Sequence, residues 1–286
     1  VARQYCGALG KVDNCQSGVF VGYTSRKGYG LLTCRLYMPE SWFSEEQKER
    51  REYNLVPDDL GFQTKPQIAN VLIEKINKTK QFPAKWIGCD AAFGSDWDFL
   101  EALPQDKYYF ANIKSNTRVF LAKPRVGVPS YGGRGPRPSK PRVMKGTVHT
   151  VAKIARSKKL TWKRVVLAEG AKGPIMADVA CLRVYPIRDN LPKESSVWII
   201  LRRLENGQIK YAFSNAPETM PLAELCEAAT MRWPIEQCFQ DGKSEVGMDQ
   251  YEHRSWPAWH RHMLYVFLAL QFLLRLRLRL KKKLRP

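Results

Sequence analysis

Asp90 closes a short apolar run, Trp86-Ile87-Gly88-Cys89, and is followed by small residues and two further acids, Asp96 and Asp98. A carboxylate where a strand turns into a helix stands at the C-terminal edge of a sheet, the place where α/β proteins gather ligands and metals. Glu236 stands in a second charged context, Arg232-Trp233-Pro234-Ile235-Glu236, with Lys243 seven residues further on. Pro234 suits a first helical turn, and seven residues are about two turns, so Glu236 and Lys243 share a helix face with Arg232 just before it. One acid and two bases thus converge on one short stretch of chain. Taken singly, each feature also has an ordinary reading: Asp90 as a turn residue, and the helix as a solvated face carrying an ion pair.

Other chemistries find less support. His149, His253, His260 and His262 form no H-E-x-x-H or other paired ligand spacing, and no G-x-S-x-G or Walker-type loop occurs. The seven cysteines are scattered, without a C-x-x-C pair, and read as reduced thiols. Asp96 and Asp98 suit cap and surface roles better than metal ligation, and Asp241, Glu245 and Asp249 rank lower still. Lys and Arg number 47 against 27 for Asp and Glu, a formal charge of +20 in 286 residues. Such an excess calls for a polyanion, with nucleic acid first because neutralising phosphates releases counterions; an anionic membrane or acidic protein comes next. The longest apolar stretch, Met263 to Leu274, is broken by Gln271 and falls short of the roughly 20 residues that a membrane span needs. The expectation is a soluble, cytoplasmic protein without membrane attachment.

The elements that must position these residues follow from pattern. Ser17 to Thr24 and Gly30 to Tyr37 read as a hairpin, and Ser44 to Glu52 and Pro66 to Lys80 as helices. Trp86 to Cys89 reads as a strand, Ser95 as the cap of a helix through Leu103, and Tyr108 to Ile113 as another strand. From Lys123 to Arg164, Lys and Arg recur thirteen times without one acid. The Pro/Gly-rich half, through Lys145, reads as a mobile loop that tracks DNA through Lys123, Arg125, Arg134, Arg137, Lys140 and Arg142. Strand-like runs at Arg164 to Ala168, Val179 to Tyr185, Val197 to Leu204 and Ile209 to Phe213 make a β-rich insertion, the last two runs joined across Glu205-Asn206-Gly207. Helices over Leu222 to Met231, Trp233 to about Val246 and Trp256 to Leu284 complete the chain.

Arg232, Glu236 and Lys243 match Arg-x3-Glu-x6-Lys, the C-terminal part of the Tyr-x2-Arg-x3-Glu-x6-Lys signature of bacterial insertion-sequence DDE transposases. Val1 to Tyr5, Gly18-Val19-Phe20, Gly88 to Asp96 and Tyr251 to Trp256 further resemble the insertion-sequence group numbered seven hundred and one. The resemblance implies an α/β fold: a ribonuclease H-like mixed sheet flanked by helices, interrupted by a β-rich insertion before the glutamate helix. It divides the chain into residues 1–114, the first part of the core; 115–220, the basic loop and insertion; and 221–286, the glutamate helix and basic tail. It implies Asp90 and Glu236 as catalytic, metal-binding carboxylates, with two Mg2+ or Mn2+ ions and Arg232 and Lys243 on DNA phosphates. The partner would be double-stranded DNA, as transposon ends and target, held by a homodimer on paired ends near the nucleoid. Two departures stand out. Ala229 occupies the signature's tyrosine position, and the family's first aspartate belongs to a stretch upstream of the segment resembling Val1 to Tyr5. The chain is therefore expected to be N-terminally truncated and, by itself, weakly active or inactive; the competing expectation is a non-catalytic DNA-binding relic.

Overall fold

The chain enters through two short strands, β1 (Ala2–Cys6) and β2 (Lys11–Cys15), paired antiparallel with Gln4 opposite Asp13. Their side chains alternate between half-buried and exposed, and polar residues fill most positions, so apolar periodicity does not reveal them. The hairpin expected next is present as β3 (Ser17–Ser25) and β4 (Gly28–Tyr37), with a register shift between Val21 and Gly22. Short 3-10 turns at Glu40–Phe43 and Glu45–Gln47 lead into α1 (Lys48–Tyr53). The helix α2 (Lys65–Thr79) begins at a full capping box: Thr64 Oγ1 accepts from the Gln67 backbone N–H, and the Gln67 side chain accepts from Thr64 N–H. Ile68, Ala69 and Leu72 form its buried stripe.

The second run of elements is β5 (Trp86–Cys89), α3 (Trp97–Glu101), β6 (Tyr108–Ile113), β7 (Arg118–Phe120), β8 (Arg125–Gly127), β9 (Arg142–Lys145), β10 (Val148–Thr150) and α4 (Val151–Ala155). Then follow β11 (Lys163–Gly170), β12 (Gly173–Arg188), β13 (Leu191–Pro192), β14 (Val197–Leu204), β15 (Ile209–Ser214) and α5 (Leu222–Thr230). The helices α6 (Trp233–Val246) and α7 (Trp256–Lys283) end the chain. The structure describes residues 1–7, 9–25, 27–133, 136–170, 173–230 and 233–283. They form two compact units, one of Val1–Pro83 with Met231–Pro286 and one of Ala84–Thr230. The three-segment division expected from the resemblance is a statement about chain order, and the compact units divide elsewhere.

In the first unit, α2, α6 and α7 pack on the β3–β4 hairpin. Leu31, Leu36, Cys238, Met248, Trp259, Met263, Val266 and Leu270 make its core. In the second unit one mixed sheet runs in the order β10-β7-β12-β14-β15-β6-β5, with β11 and β13 also paired to β12. The β5–β6 pair is parallel, with Cys89 opposite Ala111, and the other pairings are antiparallel. The strands of the β-rich stretch between the basic segment and α5 pair within this same sheet. Ala111 to Ile113 pair with Tyr211 to Phe213, so β14 and β15 extend the very sheet that carries Asp90. Phe110, Val179, Ile200, Ala212 and Leu225 bury the face on which α5 packs. Mixed pairing, with helices against the sheet, is consistent with a ribonuclease H-like fold.

Two local expectations change. Asp96, not Ser95, caps α3, accepting from Phe99 N–H at 2.9 Å, and α3 stops at Glu101 instead of Leu103. Ser95 turns back to donate to the Ala91 carbonyl at 2.7 Å. The segment through Lys145 is not wholly loop: β8 and β9 pair as an isolated two-stranded ribbon around residues 128–141.

Candidate functional site

Asp90 is the first residue past β5, and its exposed side chain organises the turn that follows. Oδ1 accepts from Ala92 N–H at 2.8 Å and from Phe93 N–H at 3.3 Å. The Asp90 carbonyl accepts from Gly94 N–H at 2.8 Å, which closes the loop. Only glycine fits at 94: a Cβ there would lie 2.1 Å from the Asn112 carbonyl oxygen of β6. The turn is thereby pressed onto the neighbouring strand and the carboxylate is held at the sheet's C-terminal edge. Its acid neighbours are otherwise engaged. Asp96 caps α3, and Asp98 pairs with Arg188 at 2.6 Å while Glu101 pairs with the same guanidinium at 2.7 Å.

Glu236 is held by a different logic. In α6, Cys238 and Gly242 are buried and Phe239 meets Phe20 edge to face at 5.2 Å, while Glu236, Gln240 and Lys243 are exposed on the other side. The shared face of Glu236 and Lys243 is thus a solvent face fixed by the packing behind it. Ile235 reinforces that packing: it sits so close to the hairpin that a Cβ on Gly22 would lie 2.6 Å from its Cδ1. Burial pushes the Cys238 thiol up to about 11, which keeps it a protonated packing group and no nucleophile. Asp241 accepts from Gln237 Nε2 at 2.7 Å and from Tyr29 Oη at 3.3 Å, ties that leave it a structural role. Ala229, at the tyrosine position of the resembled signature, is buried in the last turn of α5, where its carbonyl accepts from Arg202 Nη1 at 2.8 Å.

Asp90 belongs to the unit of Ala84–Thr230, and Glu236 and Lys243 to the other. Arg232 and Arg134 lie outside the described residues. Lys123, Arg125, Arg137, Lys140 and Arg142 are all exposed, and the β8–β9 ribbon gathers Arg125 and Arg142 onto one short element. Among the described residues no group of three or more His, Cys, Asp or Glu stands ready as a metal site. Asp90 and Glu236 are nonetheless exposed hard-oxygen donors, the type that Mg2+ or Mn2+ takes together with waters and phosphate oxygens. Two further features escaped sequence reasoning. A cavity of about 450 Å3 beside the Asp90 turn is lined in part by Ser95, Trp97, Lys114, Thr117 and Arg118. Lys145 joins Arg125 across the ribbon. Neither carries a sequence signal, because the first assembles from four segments and the second depends on strand register. No helix among the described residues is long and apolar enough to cross a membrane.

Residues 1–174 match the family described as DDE superfamily endonuclease, a span that includes Asp90 and the ribbon and ends before α6. No curated protein matches the chain.

Proposed function

Since the chain belongs to the DDE superfamily endonucleases, whose members act on DNA and generally use divalent metals, we propose that it is the catalytic core of an insertion-sequence transposase. Asp90 and Glu236 bind the cations, Mg2+ or Mn2+. The observation that carries this reading is the Asp90 turn: a carboxylate at the end of a parallel strand, oriented by two backbone N–H groups, within the span that matches the family. Because Oδ1 takes both of those hydrogen bonds, Oδ2 is the oxygen left to meet a cation.

When bound, a pair of divalent ions supplies activation of the attacking oxygen and stabilisation of the leaving one in an in-line phosphoryl transfer. The chain's own residues hold and orient. Asp90 and Glu236 offer oxygens from a rigid turn and a packed helix. Arg232 and Lys243 flank Glu236 and neutralise phosphates near the cleaved end, and Lys123, Arg125, Arg134, Arg137, Lys140 and Arg142 hold the duplex further along. A homodimer pairs the two ends.

The second reading, a DNA-binding relic without catalysis, is favoured by one observation: Ala229 replaces the signature tyrosine and is buried, so it offers no hydroxyl to DNA. Metal-dependent cleavage of insertion-sequence ends by the protein separates the two. Asp90→Ala and Glu236→Ala are each expected to lower cleavage on the order of 10^3-fold or more, the scale of losing a principal electrostatic group, with duplex binding kept. Cleavage that survives both substitutions removes the site assignment; binding without cleavage in either Mg2+ or Mn2+ selects the relic.

A further inference from the structure

The β8–β9 ribbon carries a cost that its sequence does not show. Its register sets Arg125 opposite Lys145 and Gly127 opposite Arg142, with Val126 opposite Val143 and Met144 as the extra residue of a bulge. Paired residues in an antiparallel ladder point to the same side, and so do residues two apart. Arg125, Lys145 and Arg142 therefore share one face of the ribbon, and Val126 and Val143 the other. Like charges directly opposite one another destabilise a sheet, and a two-stranded ribbon standing alone is marginal to begin with. Among the described residues no carboxylate pairs with Arg125, Arg142 or Lys145, and the sequence offers no acid anywhere from Lys123 to Arg164. All three cations are exposed, as are Val126 and Met144 at 39% and 48%.

Repulsion left unanswered within the fold is answered by an external polyanion, and the shape of the element narrows the choice. Two paired strands about 4.8 Å apart, with side chains to either side, match a groove on the order of 12 Å wide and are too broad for one of about 6 Å. These are the major and minor grooves of B-form DNA; the major groove of an A-form RNA duplex is too deep and narrow to admit side chains. We propose that the β8–β9 ribbon lies in the major groove of duplex DNA with its Arg125, Arg142 and Lys145 face turned to the DNA and Lys145 and Arg125 as a cross-strand pair on phosphates. This rests on the transposase reading for its substrate class, and it adds a groove, a contact face and a residue, Lys145.

The test is duplex binding by the full chain without divalent metal, so that a failure of the catalytic assignment leaves it untouched. Lys145→Glu creates an attractive pair with Arg125, so it is expected to slow protease cleavage of the ribbon while weakening duplex affinity about 10-fold or more. Lys145→Ala is expected to reduce the slope of log affinity against log salt by about 0.9, one phosphate contact. Methylation of guanine N7, in the major groove, should block binding, and a minor-groove ligand such as distamycin should not compete. If Lys145→Glu leaves affinity unchanged, or stability and affinity fall together, the ribbon is no DNA element. If distamycin competes and N7 methylation does not, the groove is wrong. Either result is compatible with intact cleavage dependent on Asp90 and Glu236, which keeps the two readings separable.

Discussion

Asp90 and Glu236 are the same kind of group held in two different ways. Asp90 is positioned by its own neighbourhood: two N–H groups on Oδ1, the Gly94 turn, and the backbone of β6 beneath. Glu236 is positioned from behind, by the buried side of α6 against β3, β4 and α7. The difference teaches that one acid depends on a local motif readable within a few residues, and the other on a core whose members lie as far apart in the chain as Phe20 and Phe267, 247 positions. A turn-held carboxylate is sensitive to its own substitution, and a helix-held one to substitutions far from it.

That contrast can be broken in order of expected effect. Gly94→Ala forces a Cβ onto a backbone oxygen that cannot swing away, so a loss of about 3 kcal/mol, the upper end of ordinary overpacking, is expected. Gly22→Ala meets first the tip of Ile235, a side chain that can change rotamer, and the Gly30 carbonyl oxygen only at 3.2 Å, so about 1 kcal/mol is expected. Chemical denaturation of each variant, read beside wild type, checks the order; equal losses would mean that the Asp90 turn is no more rigid than the support of α6.

The acids themselves come next. Asp90→Ala gives up the hydrogen bonds from Ala92 and Phe93 and should cost about 1 kcal/mol, while Asp90→Asn keeps an acceptor oxygen and should recover most of it. Glu236→Gln, on an exposed helix face, should stay within about 0.5 kcal/mol. A large stability loss from Glu236→Gln would show that the two carboxylates are held alike after all.

The smallest effect concerns pH. His260 lies at the start of α7, its Nδ1 2.9 Å from the Trp256 carbonyl and its Nε2 accepting from Leu36 N–H of β4 at 3.4 Å. Burial first, with Arg35 adding repulsion, holds its pKa below the usual imidazole value, while the Trp256 contact opposes the shift. The unfolded chain then takes up a proton near ~6.5 while the fold still resists it, so stability is complete above that pH and falls as pH drops toward the folded value. Thermal melts between pH 7.5 and 5 should show wild type losing more than His260→Gln, and parallel curves would remove the histidine from the account. Because His260 belongs to the scaffold behind Glu236, acidification should loosen α6 and leave the Asp90 turn alone.

Several elements were legible from pattern. The β3–β4 hairpin, α2 behind Pro66, β5, α6 with Pro234 in its first turn and the long α7 follow from periodicity and end signals that act within a few residues. The misses share a cause. In β1 and β2 mostly polar residues cover a partly exposed ribbon, and in β8 and β9 strands of three and four residues are too short for alternation to register. Asp96 displaced Ser95 as the cap of α3 because the Gly94 turn takes the serine hydroxyl to Ala91.

What the residues alone determined is chemical: which acids exist, that Glu236 and Lys243 share a face, and that Lys123 to Arg164 has no negative charge. What tertiary structure decided is adjacency. It joined β14 and β15 to the strand beside β5, set Gly94 against Asn112, and brought Lys145 across from Arg125. Spacing along a helix is dictated by its own geometry, whereas strand partners and their register are selected by pairing and burial among segments far apart in the chain, which no local pattern encodes.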